Sequence, residues 1–333
     1  MQHINYYEVE GSDQVELGRA LGAKFGYKIR EYIADFEDVD EPAWRRARVL
    51  LKQTDKYFPK YVAELQAYAD AADVELLDLW AVAIEDELSA EASERCTTVV
   101  TNEGRLIGHN EDWDPDASTE ICILKKRTRS TTSLELYYYG CALGGVAFSI
   151  SSHGYIQSVN SIAHTDTRDG VPKHVIARSL SDLRFGATDL ERLLAVPRSS
   201  GFAHTLVDRT ARLTNIECTA TQHQVTKPRT PFVHTNHLLD PGLTHLRRIA
   251  SGGSSAQRFE DAVAMASPTM DATSMMRLVG DQSRGKSKSV FNRDTIARVI
   301  VDFDKRIAYF WLKQESEKGW VPYSIDFLFN HVS

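Results

Sequence analysis

The sequence reads as an α+β protein in which antiparallel sheets are covered by helices. Two observations carry that reading. The first third of the chain repeats apolar residues at helical spacing, and from Cys96 onward short strand-like runs take over, punctuated by glycine turns. Helical patterns then return between strand runs, at about 173–184, 188–195, 255–266 and 271–279.

Each element has its own signal. Within residues 12–90, Val15, Leu21, Phe25, Ile29 and Ile33 recur at helical spacing. Pro42 is placed to open a second helix carrying Trp44, Val49 and Leu51, and Pro59 ends it or opens the next. Leu76, Leu79, Trp80, Val82 and Ile84 make a densely apolar further helix, followed by the acidic Glu85-Asp86-Glu87. Strands are expected at 97–101, 105–109, 120–126, 134–139, 145–150 and 155–160, then at 203–208, 213–219 and 231–235, and last at 296–303 and 307–312. The run Tyr137-Tyr138-Tyr139 reads as decorating both faces of a strand.

Composition narrows the function. A chain of 333 residues with 42% hydrophobic content can bury a large core, in one big domain or two smaller ones. The net charge of −7 and the lack of a basic block argue against nucleic acid. No apolar run approaches the roughly 18 residues of a membrane helix, and the first residues lack the basic head and apolar centre of a signal peptide. A cytoplasmic protein without membrane or nucleic-acid partners is expected. The four cysteines, Cys96, Cys122, Cys141 and Cys218, form no C-x-x-C pair, so no structural zinc is expected. Cys122, Cys141 and Cys218 lie in strand-like runs and read as buried structural thiols.

Cys96 differs by its surroundings. Strand 97–101, the turn at Gly104 and strand 105–109 form a hairpin that returns Asn110 and Asp112 close to the thiol. A nucleophilic thiol needs a base. His109 is one candidate. The other is the α-amine of Cys96 itself, which titrates near pH 7.7–8.0 and is freed if the preceding bond is cut. Asp112 would then orient that amine; the plainer reading is a solvated residue in the run Glu111-Asp112-Trp113-Asp114. In His234-Thr235-Asn236-His237, strand spacing sends the two histidines to opposite faces, against a metal site. Asn236 is a candidate oxyanion donor or a turn former. Asn160 lines a pocket or caps its strand, and Arg293 either holds a substrate carboxylate or is an exposed loop residue.

Together these segments resemble the acyl-CoA:6-aminopenicillanic acid (isopenicillin N) acyltransferases, a family of N-terminal nucleophile (Ntn) hydrolases related to choloylglycine hydrolases and acid ceramidase. Cys96-Thr97-Thr98 resembles the family's Cys-Thr-Ser, and Gly108-His109-Asn110-Glu111-Asp112-Trp113 its Gly-x-Asn-x-Asp-aromatic segment. Gly170-Val171-Pro172-Lys173-His174 is similar to Gly-Val-Pro-x-His, and His234-Thr235-Asn236-His237 to His-Thr-Asn-His. Ser289-Val290-Phe291-Asn292 is a weaker fifth likeness.

The resemblance implies a four-layer αββα sandwich and a precursor that cleaves itself between Arg95 and Cys96. Residues 1–95 would stay bound as a helical light chain on a catalytic core of residues 96–333. It implies Cys96 as nucleophile with its own α-amine as base, Asp112 positioning that amine, Asn236 holding the oxyanion and Asn160 in the pocket. The choloylglycine branch carries Arg where this chain has His109, and relatives commonly carry Gly, which eases self-cleavage, where it has Arg95. The expected function is hydrolysis of a small N-acyl amine or N-acyl amino acid. Alternatives are acyl transfer from a thioester to an amine, a Cys–His hydrolase using His109, and a non-catalytic homologue that has lost maturation. The expected partner is a small amide or thioester, with no cofactor and no metal.

Overall fold

The computed structural model describes residues 2–35, 41–88, 96–186, 188–248 and 253–330. The expected cleavage residue Arg95 lies outside them.

The N-terminal third is a strand followed by helices: β1 (Tyr6–Glu10), α1 (Gln14–Asp35), α2 (Glu41–Tyr57), α3 (Pro59–Ala72), α4 (Leu76–Ala83) and α5 (Glu85–Leu88). Pro42 lies in the first turn of α2 and Pro59 opens α3, where a missing N–H costs nothing. In α1 the buried stripe is Leu17, Leu21, Phe25 and Ile29, while Val15, expected on that stripe, is exposed. Beside it run Gly18, Gly22 and Gly26. A Cβ on Gly18 would overlap the carbonyl oxygen of Glu64, and one on Gly22 that of Tyr68. The glycines let α1 and α3 meet backbone to backbone.

Two sheets follow. The first orders β1, β4 (Ile121–Arg127), β5 (Thr132–Tyr138), β6 (Phe148–Ser151), β7 (Tyr155–Ser161), β8 (Phe202–Asp208), β9 (Leu213–Cys218) and β10 (His223–Thr226). The second orders β11 (Phe232–His234), β2 (Thr97–Thr101), β3 (Leu106–Asp112), β12 (Thr295–Asp302), β13 (Ile307–Leu312) and β14 (Val321–Ser324). Neighbours are antiparallel except β1, which pairs parallel with β4. Three strands escaped the sequence pattern: β1 has no clean alternation, β10 is almost wholly exposed, and β14 alternates buried and exposed residues but is only four residues long and carries Pro322.

Three apolar interiors define four layers. Ile121, Leu134, Ile150 and Val207 of the first sheet meet Val100, Ile107, Val299 and Phe310 of the second. The outer face of the first sheet, with Cys122, Leu124 and Tyr137, packs on α1, α3, α4 and α6 (Lys173–Ser181). The outer face of the second, with Val99, Leu106 and Ile300, packs on α8 (Ser255–Met265) and α9 (Ala272–Leu278). This is the expected αββα sandwich. Two short helices, α7 (Leu190–Leu194) and α10 (Asp326–Phe329), complete it. None of the described helices is long and apolar enough to cross a membrane.

A buried ion network joins the N-terminal helices to the sheets. Arg178 on α6 makes a two-pronged contact with Glu64 on α3, at 3.1 and 3.2 Å, and a further bond to Asp182 at 3.1 Å. Tyr61 donates to Asp182 at 2.9 Å. Burial pushes the Glu64 carboxyl up and Arg178 pulls it back down. Removing one partner of such a pair leaves a buried charge uncompensated. Glu64→Ala is expected to cost roughly 3 kcal/mol in chemical denaturation, with Asp182 still holding part of the guanidinium. A change below about 1 kcal/mol would show the pair to be energetically idle.

Candidate active site

The thiol lies where β2, β3, β11 and α8 converge. Cys96 immediately precedes β2 and has a φ of 84°, the left-handed region that residues with a Cβ seldom occupy. The hairpin turn carries three successive positive φ values, at Asn102, Glu103 and Gly104. It sets Thr97 opposite Asn110 and Thr98 opposite His109.

The pleat then decides which side chains reach the sulfur. Cys96 Sγ donates to Glu111 Oε2 at 3.4 Å. His109 Nε2 lies 2.9 Å from the same oxygen, and Tyr138 donates to Oε1 at 2.8 Å. Thr98 Oγ1 gives its proton to Asn160 Oδ1 at 2.8 Å, so at 3.1 Å His109 Nδ1 is the donor to Thr98. His109 thus reaches the thiol only through Glu111. That carboxylate was part of an unremarkable acidic run in the sequence, and Tyr138, read as sheet decoration, fixes its orientation.

Asn110 and Asp112 face the other side of β3. Asn110 donates to Val279 O at 3.0 Å and Val290 O at 2.7 Å, so it braces the loop after α9 and does not approach the sulfur. That loop carries Asn292, which donates to Asp112 Oδ2 at 3.1 Å, while Thr295 donates to Oδ1 at 2.6 Å. Arg258, on α8, approaches Asp112 at 3.8 Å. Burial holds the Asp112 carboxyl above the ordinary carboxylate range, against the pull of Arg258, Thr295 and Asn292.

Arg258 is the residue that sequence reading passed over. It is almost completely buried, yet in Gln257-Arg258-Phe259-Glu260 it looks like one charge on a helix surface. It donates to Cys96 O and Thr97 Oγ1, both at 2.7 Å, and to Asn236 Oδ1 at 2.5 Å. With Asn236 Oδ1 held, its amide nitrogen donates to Ser161 O at 2.8 Å and keeps a second hydrogen. Asn160 bridges the sheets, accepting from Thr98 and donating to His234 O at 3.5 Å. Arg293 does not join the site: its side chain is exposed and paired with Asp294 at 3.2 Å. His234 and His237 diverge, the first to Glu217 at 2.7 Å and the second to Ser255 at 2.7 Å. Cys96, His109 and Glu111 hold ligand atoms within 4.8 Å of one another, a grouping able to bind a divalent cation directly on the thiol.

Burial, then the charges of Glu111 and Asp112, push the Cys96 thiol well above its ordinary range, and the Asp112 N–H pulls weakly the other way. In this state the sulfur is a thiol and not a thiolate. It sits at the floor of a cleft holding about 770 Å³ of empty space, part of it open to solvent. Tyr32, Trp113, Tyr138 and Phe202 supply apolar walls, and Glu85, Asp86 and Glu120 stand among them. Cys141, read as a buried strand thiol, lies in the turn after β5, half-buried on the cleft wall.

Comparison with known proteins agrees with the motifs. Residues 99–317 match the family described as acyl-coenzyme A:6-aminopenicillanic acid acyl-transferase. Over 198 residues the chain is 27% identical to the beta-alanyl-dopamine/carcinine hydrolase of Drosophila melanogaster. That match covers 50% of this chain and 51% of the relative, so the chain spans about half the length of the curated relative it matches. Among solved structures, a mutant of conjugated bile acid hydrolase from Clostridium perfringens aligns with a TM-score of 0.43 and 12% identity, over 71% of this chain and 94% of that one. Penicillin V acylase from Agrobacterium tumefaciens aligns with a TM-score of 0.42 and 14% identity, over 66% and 83%.

Proposed function

Because the chain belongs to the acyl-coenzyme A:6-aminopenicillanic acid acyl-transferase family, we propose that it is an Ntn amidohydrolase that uses Cys96 to cleave a small N-acyl amine or N-acyl amino acid. The observation that carries this reading is the position of Cys96 Sγ: on the floor of a cleft, with Asp112, Arg258 and Asn236 assembled around the same residue.

Maturation makes chemical sense of the buried thiol. Burial and two neighbouring carboxylates hold it protonated, and Glu111, which accepts from it at 3.4 Å, is the group in place to take its proton during maturation. Cleavage of the Arg95–Cys96 bond would release an α-amine on the nucleophilic residue, and that amine takes the thiol proton. The positive φ of Cys96 supports self-cleavage, since backbone strain at the scissile residue lowers the cost of distorting the bond. Relatives ease the step with Gly; here the unusual conformation falls on Cys96 itself.

Catalysis then follows from the residues in place. The sulfur attacks the substrate carbonyl, a C–S bond forms, and the carbonyl oxygen gains negative charge. The second amide hydrogen of Asn236, oriented by Arg258, stabilises that oxygen. The α-ammonium passes its proton to the leaving nitrogen as the C–N bond breaks. Water next attacks the thioester as the α-amine takes its proton; the C–S bond breaks to release the acid, and the α-ammonium returns that proton to the sulfur. Asp112 keeps the amine oriented through both steps. Residues 1–95 would remain as a bound light chain, held by the helical interior and the Arg178–Glu64 contact.

The Drosophila relative is named for hydrolysis, which favours water as acceptor. The family's description favours an amine acceptor and a thioester donor. Both use the same residues, and product analysis with and without an added amine separates them. The test of the class is N-terminal sequencing of the purified protein: a new terminus reading Cys-Thr-Thr-Val supports the proposal. A chain that stays whole, with a Cys96 inert to iodoacetamide, would mark a homologue without catalysis.

His109 offers a sharper discrimination. Its Nε2 is engaged by Glu111, so it is not the base of the thiol. His109→Gln is expected to lower kcat/KM by about tenfold, well short of a missing general base, which costs on the order of 10²–10⁴. A loss as deep as that of Cys96→Ala would move the mechanism to a Cys–His pair.

A further inference from the structure

We infer that the cleft in front of Cys96 takes a substrate bearing a protonated amine, bound by Asp86 and Glu120 between aromatic rings. The inference rests on the proposed amide cleavage and names the substrate class for it. Four carboxylates line the cleft, Glu85, Asp86, Glu111 and Glu120, and among its described lining residues there is no Lys or Arg. Glu111 is committed to the thiol, His109 and Tyr138. Of the others, Glu120 is hydrogen-bonded by Tyr32 and keeps its charge toward the cleft, Asp86 lies in the same lining, and the rings of Trp113 and Phe202 border the same space. Carboxylates beside aromatic faces are the chemistry that holds an organic ammonium, through ion pairing and cation–π attraction together.

The corner already accommodates such a group. The Lys173 ammonium lies 3.8 Å from Asp86 and 4.8 Å from the centre of the Phe202 ring. It offsets one charge and leaves the cleft acidic.

His174 is the independent sign of a ligand. It lines the cleft, is 7% exposed, and its Nδ1 has no hydrogen-bond partner among the described residues. Such an orphaned buried polar atom is unfavourable unless something pairs with it. Burial, then the charge of Lys173, holds this imidazole neutral, with its pKa lowered to about 4. A neutral ring nitrogen without a proton accepts a hydrogen bond from an N–H donor, and an ammonium supplies up to three. The carboxylates give the charge and His174 gives direction.

The test reads protection of the thiol, which does not require turnover. Purified protein is alkylated with iodoacetamide in the presence of 4-phenylbutylammonium or 4-phenylbutanol, and modification of Cys96 is followed by peptide mass spectrometry. The ammonium is expected to half-protect Cys96 at a concentration at least about tenfold lower than the alcohol, the equivalent of 1.4 kcal/mol or more. In the double variant Asp86→Asn, Glu120→Gln that advantage should fall below about twofold. Equal protection by the two probes, or an advantage the double variant keeps, overturns the inference. Hydrolysis of a paired 3-aminopropanoyl and butanoyl anilide assigns the fault. If amides are cleaved without preference for the charged one, the ammonium site alone fails. If the thiol is protected as expected and no amide is cleaved, the amidohydrolase reading fails.

Discussion

Replacing Cys96 with Ala is expected to leave a single uncut chain of 333 residues with no amide-cleaving activity. The wild-type protein should separate, under denaturing conditions, into a 95-residue piece and a larger one. On the proposed mechanism one atom accounts for both effects, because the same sulfur would attack the Arg95 carbonyl in maturation and the substrate carbonyl in turnover. Loss of a nucleophile typically costs on the order of 10⁴–10⁶ in kcat. The fold should survive: the Sγ makes one weak bond, to Glu111 at 3.4 Å, and Ala removes a buried thiol without adding bulk. Intact-mass spectrometry with a circular dichroism melt checks all three statements. A cut chain in the Ala variant would move self-cleavage to another group. An uncut but active wild type would leave the α-amine mechanism without its base.

Arg258→Met is expected to lower kcat by about 10²–10³ and destabilise the protein by roughly 3–5 kcal/mol. Met keeps most of the length and volume while removing the charge. Five groups lose a partner together: Cys96 O, Thr97 Oγ1, Asn236 Oδ1, Ser254 Oγ and the Asp112 carboxylate. Asn236 is then free to turn its donor away from the oxyanion. A stability loss alone would not prove a role in catalysis, so the pH profile is the deciding measurement. Burial already raises the Asp112 carboxyl, and Arg258 is the first influence holding it down. Without Arg258 its pKa must rise further. Activity that needs the carboxylate is lost as pH falls through that pKa, so the acid limb of kcat/KM should shift to higher pH. Arg258→Lys restores charge without the planar fork, so it should recover the pH profile more fully than kcat. An unmoved acid limb in the Met variant would mean that Asp112 does not act as a carboxylate in turnover.

Strong local patterns were legible in the chain itself. The i, i+4 apolar stripe of α1, the prolines opening α2 and α3, and the central strands are stated by residues a few positions apart. So was the hairpin that follows Cys96, while its register, which sets Thr97 against Asn110, came from the fold. Edge strands β1, β10 and β14 were not: β1 and β10 carry little alternation, and the four residues of β14, with Pro322 among them, are too few to state a period. Spacing also placed Asn110 and Asp112 near the nucleophile without regard to the pleat. The side chain that meets the sulfur is Glu111, one residue between them.

By itself the sequence determined which residue is the candidate nucleophile, which strands surround it and which family the chain belongs to. These are properties of short segments and of their order. Tertiary structure alone decided what the nucleophile touches. It brought Arg258 under Cys96 across 162 positions, laid Asn292 and Thr295 on Asp112, and gathered Asp86, Glu120 and His174 around one cleft. The physical reason is burial. A carboxylate or guanidinium reads as a surface charge in any linear pattern, and only the packed sheets and helices take it out of water and force it to find a partner.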